Sequence, residues 1–233
     1  MTVLREHFRC MPEIIEFCNK HFYAPDGKGL YPLKQYSENR IEPLKTEYCQ
    51  SGFVDGTYQN ITNKVEAEGI ANKIEELVND ENYKGKSFGV IALQGNKQAT
   101  IIDNLILKKI GEVEYKNRNI VCGNSASFQG DERDIMFLSL ITAHNHNRSA
   151  LTKPEDERRF NVAVSRAKEQ IWLYHSVQLD DMSNQNDLRY KLLDHFLNHK
   201  QQPIPPQKFI ERSMGTQPEP FESWFEVDVS LAV

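Results

Sequence analysis

Apolar residues first fall into register between Pro12 and Phe22, where Ile14, Ile15, Phe17, Cys18 and Phe22 recur at helical spacing behind a proline suited to a first turn. Residues 24–43 break the pattern, since Pro25, Gly27, Gly29, Pro32 and Pro43 stand among polar neighbours and predict a loop. A second helix is predicted from about Asn63 to Asn79, with Val65, Ile70, Ile74, Leu77 and Val78 on one face and Thr62 or Asn63 as its cap. Beyond it the pattern alternates between short continuous apolar runs and helical stretches. Ser87–Leu93 reads as a strand, the residues carrying Ile101, Ile102, Leu105 and Ile106 as a helix, and Ile120–Cys122 and Ile135–Ile141 as two further strands. A helix near 155–167 then precedes a strand at Ile171–Tyr174, and Leu188–Leu197 forms one more helix.

Continuous rather than alternating apolar strands imply burial on both faces, and interleaved helices imply parallel crossovers. The expected fold is therefore a three-layer α/β/α domain with a mainly parallel sheet, over residues 1–199. Residues 200–219 are rich in Gln and Pro without periodicity and read as a linker. Residues 220–233 place Phe221, Trp224, Phe225 and Val229 at helical spacing, an amphipathic segment with no core of its own and the expected start of another domain.

Composition narrows the function classes. At 233 residues, 39% hydrophobic and 26% charged, the chain can bury a sizeable core, and no apolar run approaches the roughly 18 residues that span a bilayer. Its N-terminus lacks a basic cluster followed by an apolar stretch, which argues for a cytoplasmic protein without membrane contact. Cys10, Cys18, Cys49 and Cys122 are scattered with no Cys-x-x-Cys pair, so reduced thiols are expected rather than disulfides or zinc. A net charge of −5 has the wrong sign for a surface that grips nucleic acid everywhere, so any such contact must come from a local patch.

Two stretches carry candidate chemistry. Asn124–Asp134 is a polar, glycine-containing turn between two apolar strands; Gly130 permits close backbone approach to a ligand, Gln129 and Ser127 offer hydrogen bonds, and Glu132 offers an acceptor suited to a sugar hydroxyl. A solvated turn would have the same composition. In Asp156–Lys168, Phe160, Val162, Ala163 and Ala167 can face a core, whereas Arg158, Arg159 and Arg166 carry planar forks suited to phosphate, or to neighbouring carboxylates in plain salt bridges. His144 and His146 could bind metal, but no third ligand lies nearby in sequence and no metal site is predicted. Gly85-Lys86-Ser87 imitates the end of a phosphate-cradling loop, yet Asp80 stands where its first glycine would be and a strand follows instead of a helix.

Together the two stretches match a specific pair. "SFQGDERDIMFLSL" (127–140) followed by "RRFNVAVSRAKEQIWLYHS" (158–176) resembles motifs V and VI of superfamily 1 helicases, in the subgroup of the nonsense-mediated-decay helicase and its bacterial relatives. "HFRCMPEIIEFCNKHFY" (7–23) is similar to the subgroup's Gln-Tyr-Arg-x-x-Pro segment, "NKVEA" (63–67) to its Asn-Arg-x-Glu-Ala segment, and "GVIALQGNKQ" (89–98) to its Pro-Tyr-x-x-Gln strand end. The likeness runs in order over about residues 4–178.

The resemblance implies a RecA-like second motor lobe that faces a first lobe across an ATP cleft. Arg166 would then be the arginine finger that stabilises charge on the transferring phosphoryl group. Gly130 and Glu132 would contact nucleotide phosphate and sugar, with Gln129 and Arg159 in the same motifs. His7 and Arg9 would lie near the nucleotide edge, and Lys64 would stand for an arginine that also reaches the nucleotide. Gly95, Asn96 and Ser127 would touch the backbone of single-stranded DNA or RNA. ATP with Mg2+ is the implied cofactor, its phosphate loop and metal ligands belonging to the first lobe, so the chain alone is expected to be inactive and to be part of a longer protein. Departures from the subgroup are His7 for Gln, Lys64 for Arg, and Leu93-Gln94 with Lys97 where Pro-Tyr-x-x-Gln is expected. Residues 220–233 resemble the opening helix of a restriction-endonuclease-like domain, with Glu222 or Glu226 as its first acid. A module that binds nucleic acid without hydrolysing ATP is the alternative.

Overall fold

The computed structural model describes residues 5–34, 40–57, 60–146 and 149–199. The expected linker and the nuclease-like segment, Glu222 and Glu226 included, lie outside them. The described chain runs β1 (Glu6–His7), α1 (Pro12–Cys18), β2 (Tyr31–Pro32), β3 (Leu44–Tyr48), β4 (Val54–Asp55), β5 (Thr62–Asn63), α2 (Lys64–Val78), β6 (Phe88–Ala92), α3 (Asn96–Asn117), β7 (Val121–Gly123), β8 (Arg133–Ala143), α4 (Pro154–Val164), β9 (Ala167–Ser176) and α5 (Leu188–Asn198).

Five strands form a parallel sheet in the order β3-β9-β8-β6-β7. Side chains of successive strand residues point to opposite faces, and both faces are apolar. Met136, Leu138, Leu140, Ile171 and Leu173 pack beneath α1, α4 and α5 with Ile14, Phe17, Phe160 and Leu192. Ile135, Phe137, Trp172 and Tyr174 pack on the other face with Ile70 and Ile74 of α2 and Ile102 and Ile106 of α3. The result is the three-layer α/β/α arrangement that the continuous apolar runs predict, in the RecA-like form that the family resemblance implies. The cysteines are free thiols, and burial pushes Cys10 and Cys49 up to about 12. No helix of the described residues is long and apolar enough to cross a membrane.

Several boundaries differ from expectation. The first helix ends at Cys18 and widens into a π-turn over Asn19–Tyr23 instead of running to Phe22. The predicted loop at 24–43 holds β2, which pairs in parallel with β1. The helix expected near 155–167 stops at Val164, because Ala167–Gln170 extend β9 against β8 and backbone pairing outweighs local propensity. Strand β3 was not anticipated: Leu44-Lys-Thr-Glu-Tyr48 buries only Leu44, as an edge strand can.

A buried polar network closes the carboxyl end of the sheet. Asn63 caps α2 by accepting from Glu66 N at 3.2 Å, as the sequence suggests. The Glu66 carboxylate is fully buried and accepts from Ser139 Oγ (2.7 Å), Ile141 N (3.0 Å), Ser176 Oγ (2.8 Å) and Asn63 Nδ2 (3.1 Å). Ile141 has φ +57°, a left-handed backbone that a β-branched residue rarely adopts, and its N–H donates to Glu66 at this kink. Burial pushes the Glu66 carboxyl up to about 7 despite these donors.

Candidate functional site

The stretch 124–132 does not sit at one end of the sheet. β7 ends at Gly123, in register with Ile91 and Leu138, whereas β8 begins at Arg133, opposite Ala167. The connection therefore starts at the carboxyl ends of the strands and finishes at their amino ends, a drop of roughly 16 Å at ~3.3 Å per residue. Asn124 starts the descent by accepting from Ala126 N and Ser127 N, and Gly123 leaves room for it, since a Cβ there would meet Ser127 at 2.5 Å. Gly130 completes the turn at φ +89°, a conformation that glycine adopts without strain. Candidate residues adjacent in sequence are thus dealt to two separate places.

At the amino end, Arg166 immediately precedes β9, and its carbonyl accepts from Arg133 N at 3.0 Å. Arg9 donates to the Glu132 carboxylate, and Arg166 Nη1 leans on the Asp131 carbonyl at 3.5 Å. The Arg166 Nε is buried without an acceptor, and burial followed by neighbouring Arg9 lowers its proton affinity. His7 accepts the Cys10 N–H on Nε2 at 3.1 Å, so that nitrogen carries no proton. Burial, Arg9 and Lys34 lower the imidazole's pKa in keeping with a neutral ring. Asp131 is held below its usual range by its hydrogen bond with Arg133. The structure thus gathers His7, Arg9, Glu132 and Arg166 into one half-open cluster that holds two guanidinium groups and one carboxylate.

Two members of this neighbourhood were not anticipated. Phe8 is 54% exposed between His7 and Arg9, and Lys34 donates to the carbonyls of Arg9 (3.0 Å) and Lys168 (2.7 Å). An aromatic between two candidate nucleotide-edge residues, His7 and Arg9, was a usable sequence signal for Phe8. Nothing in the polar loop marked Lys34.

The topology places Lys64, Gln129 and Arg159 away from the cluster of His7, Arg9, Glu132 and Arg166. Asn63 bonds Ser176 at the far end of β9, so Lys64 lies roughly 30 Å from Arg166 along a ten-residue strand at ~3.3 Å per residue. Gln129 and Arg159 line a different cleft of about 510 Å³ at the carboxyl end, with Gln94, Gly95, Asn96, Asn124 and Arg158. Gly95 and Asn96 begin α3 there. Ser127 is exposed at the same end and bonded to Asn124. Arg159 pairs with Asp156, as the salt-bridge reading of its charge has it, although its Nε is buried without an acceptor.

Lys86 of the loop-like Gly85-Lys86-Ser87 bonds Glu169 at 2.6 Å and leads into β6, so it faces no phosphate nest. His144 lies 3.6 Å from Asp181. Among the described residues no group of three or more His, Cys, Asp or Glu is arranged to hold a metal ion. The amino-end cluster suits an anion such as a phosphate, and the described residues offer no carboxylate set for its Mg2+.

The chain is similar to known proteins over most of its length. Residues 1–177 match the model of a family described as an AAA domain. The chain is 30% identical over 211 residues to the uncharacterized ATP-dependent helicase MG140 of Mycoplasma genitalium, covering 84% of this chain and 18% of that protein. It is 25% identical over 213 residues to helicase sen1 of Schizosaccharomyces pombe, covering 86% of this chain and 12% of that one. It is 31% identical over 112 residues to the DNA replication ATP-dependent helicase/nuclease JHS1 of Arabidopsis thaliana, covering 48% and 8%. The chain spans less than a fifth of the length of these relatives.

Proposed function

The chain belongs to the AAA domain family and is a helicase-type domain, and from that premise we propose that it is the second motor lobe of an ATP-driven helicase or single-strand translocase. The observation that carries this reading is the pair Arg9 and Arg166, gathered from distant parts of the chain around a buried guanidinium N–H that has no acceptor. A γ-phosphate arriving from a first lobe would supply that acceptor. ATP bound between the lobes brings the reactive phosphoanhydride. This chain's part is to place Arg166 and Arg9 against the charge that develops on the phosphoryl oxygens, a fixed electrostatic contribution made where water is largely excluded.

Around that pair, Glu132 holds Arg9 and offers a carboxylate for a sugar hydroxyl, His7 stays neutral and adds no charge, and the Phe8 ring offers a face to a base. At the other end of the sheet, the cleft with Gly95, Asn96, Gln129, Arg158 and Arg159 is suited to a sugar-phosphate backbone, and Ser127 is exposed at the same end. Contacts of that kind carry little base information, so low sequence specificity is expected. Separating the two sites lets α4 connect them, because its Arg159 lines the cleft and Arg166 follows two residues after its last turn.

The test is ATP hydrolysis by the full-length protein that carries this lobe, with and without single-stranded DNA or RNA, for wild type and Arg166→Ala. Stimulated hydrolysis that falls about 10³-fold in the folded variant supports the reading. Nucleic-acid binding without stimulated hydrolysis would instead make the chain part of a binding module.

A further inference from the structure

The loop between α1 and β3 delivers a cation that neither the family likeness nor the motifs assign. β2 pairs with β1 in the register Glu6↔Tyr31 and His7↔Pro32, and Tyr31 N→Arg5 O (2.7 Å) and Leu33 N→His7 O (2.8 Å) extend the pairing at both ends. Continued by two residues, that register sets Lys34 opposite Arg9. There the ammonium donates to Arg9 O at 3.0 Å and to Lys168 O at 2.7 Å. Lys168 O also accepts from Met11 N at 3.1 Å, while Arg166 O is tied to Arg133 N at 3.0 Å. The carbonyl of one candidate phosphate-binding arginine and that of the residue two after the other therefore share one ammonium group.

An ammonium has three rotatable donors and no acceptor, so on its flexible four-carbon stem it can join two carbonyls on separate segments. The arrangement is costly in one respect, because it places a third positive charge beside Arg9 and Arg166. Glu169 and Asp134 offset that charge, and burial lowers the ammonium's proton affinity. A bond that served only to fasten the loop would not need a charged group in a cluster of like charge.

We propose that Lys34 is a positioning residue for the phosphoryl-transfer site: by bridging the Arg9 and Lys168 carbonyls it fixes the separation of the Arg9 and Arg166 guanidinium groups. The inference rests on the motor-lobe reading above. It makes Lys34 act through the two arginines and not by contact with the nucleotide, so its removal disturbs the transition state far more than ATP binding.

The experiment compares Lys34→Met, Arg166→Ala and the double variant with wild type in the full-length protein, measuring kcat and KM for ATP at saturating single-stranded nucleic acid, with thermal melts alongside. Lys34→Met is expected to lower kcat by about 10²-fold, the effect of misplacing a reacting group by roughly 1 Å, with KM for ATP changed less than about threefold. In the Arg166→Ala background the same substitution is expected to have little further effect, since the group it positions is gone. Four outcomes overturn the inference. If Lys34→Met matches wild type while Arg166→Ala is impaired, the motor lobe stands and Lys34 has no role in it. If the two losses multiply, or if only the melting temperature falls, Lys34 acts independently or merely structurally. If Arg166→Ala itself matches wild type, the motor-lobe reading fails and the Lys34 inference with it.

Discussion

Glu66 and Glu132 serve opposite ends of the same sheet, and their surroundings differ in kind. Glu66 is fully buried and meets four donors, two of them from the chain segments that it holds together at the strained Ile141 kink. Glu132 is 41% exposed and answers one partner, Arg9, beside an Arg166 Nε that has none. A saturated, sealed network has no capacity left for a ligand and stabilises only its own backbone. A half-open cluster with an unmatched guanidinium N–H retains that capacity, and there binding energy can be directed at a substrate. Of two glutamates in two family-like motifs, one is sealed into the fold and the other lies half-exposed beside Arg9 and Arg166.

Substitutions can break this contrast. The largest expected effect is that of Arg166→Ala, a loss of about 10³-fold in stimulated ATP hydrolysis with the melting temperature within a few degrees of wild type. A large fall in stability would mean that the amino-end cluster is also structural. Next in size, Glu66→Ala leaves Ile141 N and the Ser139 and Ser176 hydroxyls without the carboxylate that accepts from them in a sealed site and should cost about 3 kcal/mol or more by urea unfolding. A loss under about 1 kcal/mol would remove Glu66 from its structural role.

The pH dependence sharpens the same point. The folded carboxyl of Glu66, near 7, lies above its ordinary value of 4.5, so the folded state binds the proton more tightly than the unfolded one. Its contribution is fully present below about 4.5 and is lost as pH rises through 7. Relative to Glu66→Gln, wild type should therefore lose stability between about pH 5 and 7.5, and a parallel pair of curves would show that the carboxyl does not titrate there. The smallest expected effect on stability is that of Glu132→Gln. Its ion pair with Arg9 is well exposed and worth at most about 1 kcal/mol, so unfolding should barely change while the KM for ATP rises. If Glu132→Gln destabilises as much as Glu66→Ala, the distinction between the two carboxylates collapses.

Much of the architecture was legible because it is local and periodic. Continuous apolar runs such as Ile135–Ile141 announce strands buried on both faces, and Asn63 followed by Glu66 announces a capped helix, since both depend on neighbours a few residues away. Edge strand β3 was not legible, because at an edge one buried residue such as Leu44 is enough and no pattern survives in the rest. The helix that stops at Val164 was misjudged for a related reason: strand pairing with β8, a distant segment, decides where β9 begins.

The candidate site divides along the same line. The sequence by itself marked the candidate residues, Arg166, Arg9, Glu132 and Gly130 among them, because residue type and order define the motifs they resemble. Only the tertiary structure decided which of them meet. The descent of residues 124–132 from one end of the sheet to the other separates Gln129 from Glu132, and the length of β9 carries Lys64 away from Arg166. The pairing of β1 with β2 brings Lys34 to Arg9. Each of these outcomes depends on strand register between segments far apart in the chain, and register is set by packing and backbone hydrogen bonds that no short stretch of sequence contains.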